Sequence, residues 1–479
     1  MSFASVPDRA GLAKCPTGVL GFDQITEGGL PQGRPTLICG GAGCGKSLFA
    51  ATFLVNGAIL YDEPGVFVSF EETEDDIAQN VASLGFDLPA LVSAGKLALD
   101  HVRVERGEIE EAGDYDLEGL FLRLGHAIQT IGAKRVVLDT IETLFGGFTN
   151  MAVLRGELRR LFRWLKDQGV TAIVTGERGE RMLTRHGLEE YVSDCVVVLE
   201  HRVVAQVATR RLRVLKYRGS VHGTNEYPFL IDEHGMSVLP VTSLRLDHEV
   251  SVERVTAGVP GLDGMLGGLG FFRGSSVLVS GTSGSGKSTL AAHLVHSACG
   301  RGERCAYFAF EESPGQIVRN MRSVGIDLQP WRDAGTLRFV AARPTLWGLE
   351  SHLARMYDII ERFRPSIVVV DPIYTLAAVG TSSEVHSMLL RFVDLLKSRG
   401  ITGLFVSLES GNVDADSAGV TSLMDTWIQL RLLEENGVRN RSLFVLKSRG
   451  MAHSNAVRPF TLGSAGIQLG EEHAMAEGS

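Results

Sequence analysis

The segment GGAGCGKS at residues 40–47 recurs as GTSGSGKS at residues 281–288. Both segments fit the pattern G-x-x-x-x-G-K-[ST], and each lies between an apolar run of strand length and a run of helical character. Glycines at these positions let the backbone wrap closely around a phosphate group with its N–H groups pointing inward. The sequence therefore predicts two phosphate-binding loops, each of which joins a strand to a helix.

The pattern assigns roles to individual side chains of the loops. Lys46 and Lys287 are expected to contact the β- and γ-phosphates of ATP and to assist catalysis, and Ser47 and Ser288 are expected to ligate Mg²⁺. The loop residues predicted to bind the nucleotide are Gly41, Ala42, Gly43, Cys44, Gly45, Lys46, Ser47, Thr282, Ser283, Gly284, Ser285, Gly286, Lys287 and Ser288.

Further motifs indicate that the second half of the chain repeats the first. VFVSFEET at 66–73 corresponds to YFAFEESP at 307–314, and K-x-R-G occurs at 216–219 and 447–450. The motif pairs keep their order at offsets of 231 to 241 residues, which indicates a duplication. The predicted organisation is a first domain at 1–241, a connector at 242–252, a second domain at 253–470 and a short polar tail at 471–479.

Within each half, short β-branched runs alternate with amphipathic helical stretches. Examples are PTLIC at 35–39, VFVSF at 66–70 and RVVLD at 135–139. Apolar runs of this length between helices predict an α/β fold with a mostly parallel sheet covered by helices on both faces. Later runs such as RRLRVLK at 210–216 have no helix before them, which predicts antiparallel strands added at one edge.

Acidic residues follow two of the predicted strands in each half. Asp139 and Asp371 end apolar runs, and a carboxylate at the carboxyl end of a central strand is placed to hold Mg²⁺. Paired glutamates follow the strand after each loop helix, where a carboxylate can orient or deprotonate an attacking water. These catalytic candidates are Glu71, Glu72, Glu311 and Glu312, of which Glu311 is also included as a metal ligand. The sequence leaves open which glutamate of each pair is the base.

A lysine and an arginine close the last long strand-like run of each half, as Lys216 and Arg218 and as Lys447 and Arg449. Residues i and i+2 share one face of a strand, so both cations of a pair project together. Two interpretations remain open. The cations are either solvated residues that protect a sheet edge or groups that complete the active site of an adjacent subunit.

The composition argues against several classes of protein. With 44% hydrophobic residues, 22% charged residues and a net charge of −9, the chain is typical of a globular protein without global attraction to nucleic acid. The six cysteines form no C-x-x-C pair, so a zinc ribbon or a thioredoxin-like site is not expected. Since no signal-peptide or membrane-spanning pattern is present, we expect a cytoplasmic protein without a membrane partner.

At these motifs the sequence resembles the KaiC family, the RecA-like double-domain ATPases and autokinases of circadian clocks. The resemblance runs from about Thr17 to Gln468. It rests on the FEET and FEES strand ends, the two K-x-R-G segments, EYPF around Tyr227, and Gly348-Leu349-Glu350 followed by His352-Leu353. It implies tandem RecA-like P-loop domains that assemble as a homo-hexamer of two stacked rings, with ATP and Mg²⁺ between subunits.

The resemblance also implies a function. In that family the first domain mainly hydrolyses ATP, and the second domain also phosphorylates and dephosphorylates itself on serine and threonine. The expected role is circadian-type timing or signalling, with KaiB-like or other signalling proteins as partners. Clock members of the family carry a long C-terminal tail, to which an activator binds to promote phosphorylation. Activation through such a tail is not expected from residues 471–479.

The resemblance adds site residues to those found from the motifs. Positions that match nucleotide contacts are Lys216, Tyr217, Arg218, Lys447, Ser448 and Arg449, together with Ser83, His222, Asp232 and Arg441. The phosphoacceptor pair falls at Thr421 and Ser422, ahead of Asp425-Thr426. The family order is serine then threonine, and both hydroxyls can accept phosphate. Glu311 or Glu312 would then be the general base.

Two other functions compete with this interpretation. A RecA/RadA-like DNA-dependent ATPase predicts basic DNA-binding loops and often a zinc ribbon or a basic accessory domain, and the acidic sequence shows neither. The second alternative is a signalling scaffold that uses ATP only for assembly. Loss of the catalytic glutamates from one half would favour it, whereas both glutamate pairs are present.

Overall fold

The computed structural model describes residues 11–102, 117–145, 151–179, 193–204, 207–233, 235–240, 251–408, 420–435 and 438–470. The chain forms two compact units, Met1–Ser243 and Leu244–Ser479. The predicted connector falls outside the described residues except for its last two positions, and the predicted tail at 471–479 falls wholly outside them. Within the described residues, no helix combines the length and the apolar composition that crossing a bilayer requires.

The first unit contains a nine-stranded sheet and a two-stranded ribbon. Its strands are β1 Lys14–Cys15, β2 Leu30–Pro31, β3 Pro35–Gly40, β4 Gly65–Ser69, β5 Leu97–His101, β6 Arg135–Asp139, β7 Thr171–Glu177, β8 Cys195–Val204, β9 Val207–Tyr217, β10 Glu226–Asp232 and β11 Gly235–Val238. β1 pairs with β2, and the large sheet has the order β5-β4-β6-β7-β3-β8-β9-β10-β11. The first six strands in this order are parallel, and each later strand is antiparallel to the one before it.

The second unit repeats this topology strand for strand. Its strands are β12 Arg254–Val255, β13 Phe271–Phe272, β14 Ser276–Gly281, β15 Cys305–Ala309, β16 Leu337–Ala341, β17 Ile367–Asp371, β18 Thr402–Leu408, β19 Thr426–Glu435, β20 Val438–Ser448, β21 Arg458–Gly463 and β22 Gly466–Leu469. β12 pairs with β13, and the large sheet has the order β16-β15-β17-β18-β14-β19-β20-β21-β22. The change from parallel to antiparallel pairing again comes after the sixth strand, β19.

Helices lie in the connections between the strands of both units. Those of the first unit are Phe22–Ile25, Lys46–Leu60, Glu74–Ala82, Leu88–Ser93, Glu118–Ile131, Glu142–Phe145 and Met151–Asp167. Those of the second unit are Pro260–Met265, Lys287–Gly300, Pro314–Ser323, Gln329–Asp333, Leu349–Phe363 and Ser382–Ser398, with 3₁₀ turns at Pro344–Leu346 and Tyr374–Ala378. The prediction of an α/β fold with antiparallel strands at one edge is confirmed.

Apolar side chains on both faces of β3 explain why the sheet is covered on both sides. Every residue of this strand is buried, and its side chains alternate between two clusters. Ile38 packs in the cluster that contains Phe49 and Phe53 of the loop helix, while Leu37 packs with Val196 on the other face. Burying a side chain of this size contributes roughly 1.5–3 kcal/mol to the free energy of unfolding. The packing of β3 against the loop helix therefore stabilises the position of both.

The helices that follow the glutamate pairs begin at fixed residues. The side chain of Thr73 caps Glu74–Ala82 by accepting from Asp76 N, and the aspartate side chain accepts in return from the backbone of Thr73. Ser313 and Gln316 form the same reciprocal capping box in the second unit. Because these caps fix where each helix starts, they also fix the short segments that carry the glutamates.

The parallel strands give each large sheet two distinct ends. β3, β4 and β6 are parallel, so the segments that follow Gly40, Ser69 and Asp139 meet at one end, which we call the carboxyl end. The other end, where β3 and β14 begin, we call the amino end.

Candidate nucleotide-binding sites

Each phosphate-binding loop lies at the carboxyl end of its sheet and leads into a buried helix. Gly45 precedes the first helix with a φ of 104°, and its counterpart in the second loop has a φ of 107°, a conformation that glycine adopts without steric cost. Lys46 Nζ donates to Gly40 O at 2.9 Å and to Gly41 O at 3.1 Å. Lys287 makes the two equivalent bonds at 2.8 and 2.7 Å. Each ammonium group therefore lies inside its loop, where it can exchange carbonyl contacts for a bound phosphate.

Asp139 ends β6 beside the first loop and is 7% exposed. Burial raises the pKa of its carboxyl group, and hydrogen bonds from Thr175 and Ser47 and the charge of Lys46 oppose this effect. A carboxylate and a serine hydroxyl thus meet next to the loop. Such hard oxygen donors suit Mg²⁺, which takes one or two protein ligands and completes its shell with water and phosphate oxygens. The predicted ligands Ser47 and Asp139 fit this metal.

Asp371 takes the same place in the second unit, at the end of β17. Burial raises the pKa of its carboxyl group, and hydrogen bonds from Tyr307 and Ser288 oppose this effect. The Tyr307 hydroxyl donates to Asp371 Oδ2 at 2.5 Å. The two predicted ligands Ser288 and Asp371 are therefore adjacent here as well. The carboxylate of Glu311, the third predicted ligand, accepts a hydrogen bond from the hydroxyl of Tyr374.

The two glutamates of the first unit have different hydrogen-bond donors. Glu71 accepts from Thr143 Oγ1 at 2.7 Å, and Glu72 accepts from Asn80 Nδ2 at 3.2 Å. Burial raises the pKa of Glu72, and the bond from Asn80 opposes this effect. Each carboxylate is thus held by its own neutral donor.

The second unit repeats this arrangement with one different donor. Asn320 Nδ2 lies 3.4 Å from Glu312, as Asn80 lies beside Glu72. The hydroxyl of Tyr374 donates to Glu311, and this bond raises the pKa of Tyr374 to about 12. The recurrence of separate donors for the two glutamates supports a shared chemical role in both units.

A cavity of about 390 Å³ opens between the first loop and helix Glu74–Ala82. Its lining includes Lys46, Ser47, Glu72, Asn80, Ser83 and Ile231. The cavity therefore brings together residues that the sequence predicted separately, namely the loop, one glutamate and Ser83. Asp232 directly follows Ile231 in β10, at the same end of the sheet. This volume is within the range of small-molecule sites, roughly 300–1,000 Å³.

The predicted interface cations lie toward the amino end instead. Lys216 is opposite Val196 near the start of β8, and Lys447 is opposite Trp427 near the start of β19. The strand registers place these positions roughly 10 Å along the sheet from the loops that follow Gly40 and Gly281. Both lysines are thus displaced from the phosphate-binding loop of their own unit.

Some predicted nucleotide contacts have side chains that point into their own unit. The hydroxyl of Tyr217 is buried and donates to Gly29 O at 2.9 Å, and the ring of His222 stacks 6.0 Å from the Tyr217 ring. The Ser448 hydroxyl is buried against Thr426 Oγ1 at 3.0 Å. A nucleotide contact at position 217 or 448 would therefore involve the backbone rather than the side chain.

One arginine of the first unit was not singled out from the sequence. The strand registers place Arg210 at the position that corresponds to Arg441. Burial raises the pKa of Cys44 in the loop, and the charges of Lys46 and Arg210 oppose this effect. The Nε atoms of Arg210 and Arg441 are buried and have no partner among the residues described. The sequence did contain a signal for this equivalence, because an arginine lies six residues before each K-x-R-G motif.

The predicted phosphoacceptors lie at the amino end of the second unit. Lys447 Nζ donates to Thr421 O at 3.0 Å, and an Arg449 guanidinium nitrogen donates to Ser422 O at 2.7 Å. Asp425 then anchors the segment, since its carboxylate accepts from Ser276 N at 2.9 Å and from Ser276 Oγ at 2.8 Å. The acceptor segment is therefore fixed to the start of β14, whereas the loop leaves from the end of that strand.

Comparison with known proteins assigns both units to one family of ATPases. A family model described as ATPase: KaiC matches the chain twice, over residues 15–243 and 255–474. Circadian clock protein KaiC2 of Synechocystis sp. is 57% identical over 96% of this chain and 82% of its own length. Circadian clock oscillator protein KaiC of Synechococcus elongatus is 39% identical over 96% of this chain and 90% of its own length. Each of these relatives spans both units.

Proposed function

The chain belongs to the KaiC family of ATPases, and from this premise we propose that it is an ATP-driven autokinase as well as an ATPase. Both units bind ATP with Mg²⁺, and the first unit mainly hydrolyses it. The second unit also transfers the γ-phosphoryl group to Thr421 or Ser422 of an adjacent subunit in a self-assembled ring. By analogy with relatives named as circadian clock proteins, the activity would serve circadian-type timing or signalling.

The position of the acceptor segment is the observation that carries this proposal. Asp425 ties the segment to Ser276, and the loop begins at Gly281, five residues further along β14. At about 3.3 Å per residue, this places the point where the segment is anchored roughly 17 Å along the strand from the loop of the same unit. The phosphoryl donor would therefore be ATP on a second subunit, and the adjacent Lys447 and Arg449 would meet the same nucleotide.

The chemistry of the transfer follows from the described side chains. The acceptor hydroxyl oxygen forms a bond to the γ-phosphorus as the bond from that phosphorus to the β,γ-bridging oxygen breaks. The hydroxyl proton passes to the carboxylate of Glu311 or Glu312, and ADP leaves. Lys287 stabilises the charge that moves onto the phosphate oxygens. In the first unit, water takes the place of the hydroxyl, with Glu71 or Glu72 as the base.

The metal has a defined place in this scheme. The residues that would hold Mg²⁺ are Ser47 and Asp139 in the first unit and Ser288 and Asp371 in the second. Bound Mg²⁺ would neutralise negative charge on the phosphates. The chain itself orients the ligands, since Asp139 is buried, Asp371 is half-buried and each accepts a hydrogen bond from a hydroxyl.

A labelling experiment tests the kinase directly. Purified protein is incubated with Mg²⁺ and γ-labelled ATP, and the labelled peptides are mapped. We expect label on Thr421 or Ser422, and its loss in Thr421→Ala with Ser422→Ala. Release of inorganic phosphate without label on the protein would reject the kinase and leave a double-unit ATPase.

The cations of the first unit provide a second test, of the assembly. In a Lys287→Ala background, Lys216→Ala should abolish most remaining ATPase activity, because the loop of one subunit would face Lys216 of another. Adding chains that carry Lys46→Ala and Lys287→Ala, which are inactive alone, should restore part of the turnover by creating intact mixed interfaces. If subunits exchange and turnover does not recover, Lys216 acts within its own subunit or protects a sheet edge.

A further inference from the structure

The two units hold corresponding aspartates, Asp139 and Asp371, with hydroxyl groups that come from opposite neighbouring strands. In the first unit, Asp139 lies at the end of β6, between β7 and β4. The side chain of Thr175 in β7 donates to Asp139 Oδ1. On the other side, β4 contributes Phe67, whose ring carries no donor and is 2% exposed.

In the second unit, the donor comes from the other side. Asp371 ends β17, between β18 and β15. The hydroxyl of Tyr307 in β15 donates to Asp371 Oδ2 at 2.5 Å. β18 contributes Val406, which is 1% exposed and has no donor on its side chain.

The strand registers show that these are corresponding positions. Thr175 pairs with Ile38, two residues before the end of β3, and Val406 pairs with Val279, two residues before the end of β14. Phe67 pairs with the residue two positions before Asp139, and Tyr307 pairs with the residue two positions before Asp371. The threonine and phenylalanine of one unit are thus replaced by valine and tyrosine in the other.

We infer that Tyr307 is a positioning residue for the metal ligand Asp371, and that it does for the second unit what Thr175 does for the first. A carboxylate that ends a strand can rotate about its terminal bond. A hydroxyl bonded to one oxygen restricts that rotation and leaves the other oxygen available to the loop serine or to the metal. Partners of this kind typically change metal affinity or activity by 10–100-fold when they are removed.

The hydroxyl donor comes from β7 in the first unit and from β15, on the opposite side of the aspartate, in the second. This difference supports a positioning role over a purely structural one. At each of the two flanking positions, one unit has a hydroxyl and the other has an apolar side chain, yet each aspartate receives one hydroxyl bond from a neighbouring strand. Tyr307 is fully buried, and its oxygen reaches the carboxylate from the strand that leads into the glutamate pair. The same strand therefore carries the group that donates to Asp371 and leads into the candidate bases.

This inference rests on the proposed binding of Mg²⁺ with ATP, and it can be tested without turnover. Mn²⁺ is titrated into the full chain with a non-hydrolysable ATP analogue, and free Mn²⁺ is measured by electron paramagnetic resonance. The unaltered chain should hold two Mn²⁺ tightly, one in each unit. In Tyr307→Phe, one of the two should bind about 10–100-fold more weakly. The double variant Tyr307→Phe with Val406→Thr should recover most of the affinity, because it gives the second unit the pair of side chains found in the first.

A matched control separates positioning from packing. Tyr357 is 1% exposed in helix Leu349–Phe363 of the same unit, and Tyr357→Phe removes a comparable buried hydroxyl. Two tight Mn²⁺ in this control, with recovery in the double variant, would establish the role of Tyr307. Unchanged Mn²⁺ binding in Tyr307→Phe, or a loss that Val406→Thr does not repair, would overturn it.

The same titration separates this inference from the proposed function. If the unaltered chain holds fewer than two Mn²⁺, the proposed metal sites fail and the inference fails with them. If it holds two and Tyr307→Phe binds both normally, only the inference fails. Absence of label on Thr421 and Ser422 would reject the kinase without affecting the role of Tyr307.

Discussion

Replacing Glu71 and Glu72 together by glutamine is expected to lower the ATPase activity of the first unit by at least about 100-fold, since general base catalysis typically contributes 10²–10⁴-fold. ATP binding should remain, because glutamine keeps the shape of the side chain and the loop with Lys46 is unchanged. The measurement is steady-state phosphate release in a Lys287→Ala background, where only the first unit turns over. Binding is followed separately with a fluorescent ATP analogue.

The single variants Glu71→Gln and Glu72→Gln then decide which glutamate is the base, because only replacement of the base should lower the rate of phosphate release. Glu72 lines the cavity beside Lys46 and Ser47, whereas Glu71 is bonded to Thr143 at 2.7 Å. The matched control is Glu74→Gln, which removes an exposed carboxylate two residues further along, in the first turn of the next helix. Turnover of the control should stay near that of the parent. Normal turnover in the double variant would mean that neither glutamate takes part in hydrolysis.

Phosphorylation between subunits should be visible as complementation between two inactive chains. Lys287→Ala lacks the loop lysine but keeps both acceptors, and Thr421→Ala with Ser422→Ala keeps the loop but has no acceptor. Neither should become labelled from γ-labelled ATP on its own. After subunit exchange, label should appear on the Lys287→Ala chain, because its acceptors can meet the intact loop of the other chain. A size tag on one chain identifies which is labelled.

The controls for this experiment use the same two chains. A chain that carries Lys287→Ala together with both acceptor substitutions should remain unlabelled in every mixture. If label instead appears on the chain without acceptors, phosphate goes to a different residue. If no label appears although the mixed subunits exchange and the unaltered chain is labelled, the acceptors are served within their own subunit. The distance of roughly 17 Å along β14 predicts the opposite.

Much of the candidate site could be predicted from the sequence because its signals are local. The loop pattern fixes a strand, a turn and a helix within a few residues, and Lys46, Ser47 and Asp139 all lie beside the first loop in the structure. Duplication strengthened each assignment, since every motif could be compared with its counterpart. The alternation of apolar runs and helices predicted the α/β sheet and its antiparallel edge for the same reason.

Other parts depended on which strands become neighbours. Tyr217 lies between two cations that were predicted to face a nucleotide, yet its hydroxyl is buried against Gly29, 188 residues away in sequence. The equivalence of Arg210 and Arg441 was not predicted, although each lies six residues before a K-x-R-G motif, and the strand registers show it directly. A hydrogen bond over such a separation depends on the packed sheet, and no local pattern records it.

The sequence therefore determines the two loops, the order of the motifs and the type of chemistry, because each of these depends on residues close together in the chain. The tertiary structure determines which hydroxyl donates to each of the two aspartates, Thr175 to Asp139 and Tyr307 to Asp371. It also fixes the proposed acceptor segment at the end of β14 that is remote from the loop of the same unit. The physical reason is that strand order and register choose the neighbours of a buried polar group, and a buried carboxylate requires a hydrogen-bond donor from whichever strand can supply one.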